Sequence, residues 1–248
     1  MKLPSRTGLA VSVLSAIAVP LVLGASPALA ASAAAQTDPP TASARPAGDA
    51  ALARIQATSE AQIDRRLGAL NAALAAIAGN PVLTSGDKAT LTTILTNDVS
   101  GLTALRATIA ADTTAAVARE HEATIFTGYR VYALALPQVR FASAADGITG
   151  AAIPALTNAQ KTLADLLAGV DSGKNTPAVQ ARMADLATQL GIATSKTDGL
   201  AATVLGYTPA QYNANHALLA PSRASLAAAR TALAKARADV LAVKTAIA

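Results

Sequence analysis

From Asp49 onward the large apolar residues recur every three or four positions, and almost no stretch alternates in twos, so the pattern is helical nearly throughout. The first helix is predicted over about Asp49 to Ala78, with Ile63, Leu67, Leu70, Leu74 and Ile77 on one face. Gly79-Asn80-Pro81 should end it, since a proline cannot extend a helix. The next begins near Ser85 or Gly86, capped by Thr84 or Ser85, and carries Leu91, Leu95, Leu102, Leu105 and Ile109. Asp98 and Asp112 fall on that stripe, either as partly wet positions or as a change of register.

Two later starts are better marked. Thr176-Pro177 places a capping hydroxyl before a proline at the first helical position, followed by Val179, Met183, Leu186, Leu190, Ala193, Thr197, Leu200 and Val204 in one unbroken frame. Thr208-Pro209-Ala210-Gln211 repeats the device and completes a capping box. At the C-terminal end Leu226, Ala229, Leu233, Ala236, Val240, Val243 and Ile247 keep heptad spacing, and the frame runs back to Tyr212. That continuity predicts one helix kinked at Pro221, the alternative being a break there with Ser222 as a fresh cap.

The middle segment Ile125 to Pro137 has the composition of a strand, yet no second strand exists to satisfy its backbone. It is therefore read as a helix from near Gly128, kinked at Pro137 and reaching Phe141. Helix returns from about Pro154 to Val170, and Gly169 to Asn175 forms a loop. The predicted fold is all-α, an elongated antiparallel bundle of four or five long helices with coiled-coil-like packing and small residues at the seams.

The first residues break this pattern. Lys2 and Arg6 precede an uncharged run from Leu9 to Gly24, and Ala28-Leu29-Ala30 supplies small residues where a signal peptidase reads. Residues 1–30 are expected to be a signal peptide cut after Ala30, with Ala35 as a second site. The run is shorter than the ~20 residues that cross a bilayer. Residues 31–48 hold almost nothing large and apolar and are expected to form a disordered spacer, leaving 49–248 as a single helical domain.

Composition narrows the chemistry. There is no cysteine, which excludes disulfides, thiol catalysis and thiolate metal sites. The formal charge of +5 becomes +3 without Lys2 and Arg6, too little for a nucleic-acid-binding chain of this length. His121 and His216 are the only histidines, and Glu120-His121-Glu122 cannot converge on one ion because adjacent helical positions point ~100° apart. Both histidines read as exposed surface. No serine sits in a nucleophile-elbow motif, and no catalytic, cofactor or metal site is assigned, so a non-enzyme is expected.

Two surfaces remain. Phe126, Tyr129, Arg130, Tyr132, Arg140 and Phe141 gather four of the six aromatic residues of the chain and form a candidate interaction surface, the plain alternative being that the rings fill the core. Arg223, Arg230, Lys235, Arg237 and Lys244 give the last helix a basic side that could face an anionic membrane.

The signal peptide, the alanine-rich helical body and the block Ile125 to Pro137, with Ala144-Ala145-Asp146-Gly147-Ile148 after it, resemble uncharacterised secreted helical proteins of high-GC Gram-positive bacteria over about Thr84 to Ile247. The resemblance implies an envelope or extracellular setting and no activity or ligand. The expected function is a non-enzymatic structural or interaction protein of the envelope or secretome, exported by the general route. Its expected partner is a protein or cell-wall component, with self-association as a further option. The alternatives are a membrane-surface protein using the C-terminal helix, and a small-ligand carrier or enzyme with an interhelical cavity.

Overall fold

The structure, a computed structural model, describes residues 44–248, so the expected signal peptide and most of the expected spacer lie outside it. The described residues are all-α, with no strand among them. Helix α1 spans Ala44–Gly79, α2 Ser85–Ala111 and α3 Ala115–Thr127. The chain then runs through α4 (Leu136–Gly147), α5 (Ile153–Ala168), α6 (Pro177–Thr197), α7 (Leu200–Leu205), α8 (Pro209–Ala214) and α9 (Ala220–Ile247). The first helix begins at Ala44, five residues before Asp49, with Pro46 in its first turn where no intrahelical N–H is needed.

Three caps act as their sequences indicate. The hydroxyls of Thr84, Thr176 and Thr208 accept from the backbone N–H three residues on, and Gln211 closes the box by accepting from the Thr208 N–H at 2.9 Å. Helix α8 nevertheless ends after six residues, at Ala214. The expectation of one helix through Pro221 fails here. The chain leaves helical geometry at Asn215, and Pro221 lies in the first turn of α9, where its fixed φ starts a helix without cost. A second predicted continuity also breaks: Gly199, at φ +61°, separates α6 from α7, although Thr197, Leu200 and Val204 remain buried as the frame requires.

The segment around Pro137 differs more instructively. Helix α3 stops at Thr127, Arg130 takes a left-handed φ of 46°, and Val131–Ala135 form a π turn leading into α4. A second π turn, Ile148–Ala152, joins α4 to α5. In each, the N–H just before a proline, of Leu136 or Ile153, reaches back five residues, to the carbonyl of Val131 or Ile148. A proline in a regular helix clashes with the carbonyl four residues back. The wider turn relieves that contact, so Pro137 and Pro154 are absorbed by π geometry.

Helices α1 and α2 pair antiparallel, as Gln56 near the start of α1 donates to the Ile109 and Asp112 carbonyls at the end of α2 at 3.0 and 3.2 Å. Ile63, Leu70 and Ile77 bury against Leu91, Leu95 and Leu102, with Ile125 of α3 closing this first core. Helices α6 and α9 form a second antiparallel pair, tied by Arg182 to the buried Asp239 at 3.0 Å and by Lys174 to the Ile247 carbonyl. Leu186, Leu190, Leu226 and Leu233 anchor that core, and Ala193, Ala229, Ala232 and Ala236 line its seam. The elements α4 and α7 serve both: Ala142 and Leu205 face the first core, Ala145 and Val204 the second. The buried Gln138 amide of α4 donates to the Val204 and Tyr207 carbonyls, both at 2.9 Å, and so satisfies the end of α7.

Candidate functional site

The aromatic-basic block does not form one surface. Tyr129 is half-buried in the first core and lies over Gly101 of α2, where an added Cβ would stand 2.6 Å from the ring. Burial pushes its hydroxyl upward in pKa, helped by the charge of nearby Asp98. Phe141 packs against the second core. Arg140 is exposed. Arg130 turns toward α8, its Nε donating to Asn213 Oδ1 at 2.5 Å and its guanidinium 5.6 Å from the Tyr212 ring centre. The Asn213 amide returns a bond to the Thr127 carbonyl at 2.8 Å, so the left-handed residue is held from both sides.

Two rings do face solvent. Phe126 is 41% and Tyr132 52% exposed, and both stand against Arg66 of α1, whose guanidinium carbon lies 4.6 and 5.5 Å from their centres. Arg66 is nearly buried and has no acidic partner among the described residues. It bonds instead to the Gln62 carbonyl and side chain at 2.9 and 2.8 Å. Desolvation lowers its pKa from the ordinary arginine value, with Tyr132 opposing the shift and the charge of Arg65 adding to it. The Tyr132 hydroxyl donates to the Arg65 carbonyl at 3.2 Å, fixing the ring on α1.

Tyr132 also borders a cleft of about 290 Å³ between the first π turn and the link from α8 to α9. Tyr132, Tyr212, His216 and Arg223 surround it over a floor that includes Pro137 and Leu219. The His216 ring meets the edge of Tyr212 at 5.3 Å between centres. The structure thus joins Tyr132 of the aromatic block to Arg223 of the basic helix, which the sequence analysis kept apart. The remaining basic residues of α9 spread along its outer side: Arg230, Lys235 and Arg237 are exposed and Lys244 is half-buried. The apolar stripe beneath them is covered, with Leu226, Ala229, Leu233, Ala236 and Val243 buried.

One polar position is corrected and another is decided between its alternatives. His121 is not a free surface histidine, because its Nδ1 lies 2.9 Å from a carboxylate oxygen of the nearly buried Asp112, the residue that ends α2. Asp98 is a partly wet position beside Tyr129 with no change of register, and burial pushes its carboxyl up to about 6. Asp146 plays a structural part that its spacing does not announce. It is buried at the end of α4 and accepts the Thr84 N–H at 2.8 Å, latching the turn between α1 and α2. Burial and the neighbouring Asp87 raise its pKa, against the opposing Thr84 bond.

Among the described residues no helix is long and apolar enough to cross a membrane, and no three His, Asp or Glu side chains gather as a metal ion would require. No family model, curated protein or solved structure matches the chain.

Proposed function

We propose that the protein is a non-enzymatic interaction protein of the cell envelope or secretome, exported by the general route, that presents preformed helix faces to a protein or cell-wall component. The observation that carries this reading is the exposed Phe126 and Tyr132 pair mounted on Arg66. Large rings are the side chains a chain with only six aromatics would be expected to bury. Rings held rigidly in water beside a desolvated guanidinium have the composition of a binding hot spot, with little entropy left to lose on association. The heptad spacing shared by α6 and α9 supports coiled-coil-like packing within the helical body that carries this face.

The test is co-sedimentation of the purified protein with isolated cell walls and, separately, with anionic vesicles, at low and high salt. Wall binding that survives salt and is lost in Phe126→Ser/Tyr132→Ser, with helicity unchanged by circular dichroism, is the expected result. Wall binding indifferent to that double change would remove the face from the reading. Salt-sensitive vesicle binding, lost in Arg230→Gln/Arg237→Gln, would select the membrane alternative. With the α9 stripe covered by the fold, that contact would be electrostatic.

A further inference from the structure

The geometry points to a second binding site, the cleft between the first π turn and the α8–α9 link, for a small carboxylate carried on a flat apolar body. Its volume, about 290 Å³, falls just below the ~300–1,000 Å³ range of small-molecule clefts, so the ligand is small. Tyr132 and Tyr212 supply aromatic walls, and Ala133, Pro137 and Leu219 an apolar floor. The cation is Arg223. It makes no ion pair among the described residues, and none of the lining residues is acidic. A planar guanidinium recognises a carboxylate through two parallel hydrogen bonds.

Leu219 and Ala220 complete the cleft from the start of α9, where the Ala217 carbonyl holds the Ala220 N–H at 2.8 Å and Pro221 has none, so anion recognition falls to Arg223. Arg223 is the one arginine or lysine among the lining residues. One free guanidinium with apolar and aromatic walls therefore matches a monoanion with a ring better than a phosphate dianion.

The walls are also set in place before any ligand arrives. The left-handed Arg130 and the π turn orient Tyr132 and Ala133, and the Thr208–Gln211 capping box fixes the helix that carries Tyr212. Asn215 Oδ1 accepts the Ala217 N–H at 2.9 Å and shapes the link itself. A strained non-glycine backbone beside a π turn is a combination that proteins concentrate at binding sites. The inference goes beyond the proposed partner contact and does not rest on it, although Tyr132 belongs to both.

The experiment is titration calorimetry of the whole protein with benzoate, its neutral counterpart benzyl alcohol, and inorganic phosphate. Benzoate should bind, with benzyl alcohol and phosphate each at least tenfold weaker. Arg223→Gln and Tyr212→Ala should each weaken benzoate at least tenfold at unchanged helicity, whereas Arg230→Gln, on the same helix but outside the cleft, should leave it unaltered. The His216 ring-proton resonances should shift on adding benzoate and place the ligand in the cleft. Absence of benzoate binding, phosphate binding as tight as benzoate, or benzoate binding untouched by Arg223→Gln would each overturn the proposal. All of these readouts are independent of cell walls, so failure of the partner reading and failure of this one are separable.

Discussion

At the scale of single residues, the positions that break the apolar pattern are the most informative. Asp98 sits on a core stripe with its carboxyl pushed up to about 6 by burial, against an ordinary value of 3.8. The folded state therefore holds a proton that the unfolded chain has released between about pH 4 and 6, and stability falls as pH rises through that window. Asp98→Asn should flatten this dependence and raise stability at pH 7 by about 1 kcal/mol once solvent screening is allowed for, measured by urea unfolding at pH 4.5 and 7. Gly101 is the counterpart of Tyr129. Because an added Cβ would meet the ring at 2.6 Å, Gly101→Ala must displace it and should cost about 1–3 kcal/mol, read as a lowered thermal midpoint. Ser59 is fully buried with no partner for its hydroxyl, so Ser59→Ala should be neutral or slightly stabilising.

At the scale of elements, what the sequence revealed and what it hid have distinct physical origins. Three helix starts were legible because a cap is a local device: Thr84, Thr176 and Thr208 bond to the third residue onward whatever the rest of the fold does. The core faces were legible for the same reason, since Leu91, Leu95, Leu102, Leu105 and Ile109 all bury as spaced. The end of α1 at Gly79 was legible too, but later ends were not. An unbroken apolar frame conceals the stop at Asn215 and the left-handed Gly199, and Arg130 is held by a partner far away in the chain, Asn213. The cleft was hidden likewise, because Tyr132 and Arg223 are brought together only by tertiary packing. Arg130→Gly separates two effects. It should relieve about 1–2 kcal/mol of left-handed strain while releasing α8, so hydrogen exchange of residues 209–214 should quicken although global stability changes little.

At the scale of the whole molecule, two cores share α4 and α7, and the second is seamed with alanine. An alanine seam brings helices close but removes little apolar surface from water per residue, compared with the ~1.5–3 kcal/mol that a fully buried leucine contributes. Unfolding should therefore show a heat-capacity change and a urea m-value below those usual for a folded body of this length, testable by calorimetry and denaturation on the same sample. The two π turns bear on something different, the tolerance of the chain to gain or loss of a residue. Each holds one residue more than regular winding would, so removing one would close the wide turn to regular winding and leave the downstream faces in place. A deletion within Ile148–Ala152 would thus force Pro154 against the carbonyl that the wide turn keeps clear of it, although Leu156 and Leu163 kept their facing. Single-residue deletions should be harmful there and comparatively mild in the loop at 169–175, making these two short segments the places where the length of the gene, more than its spelling, is constrained.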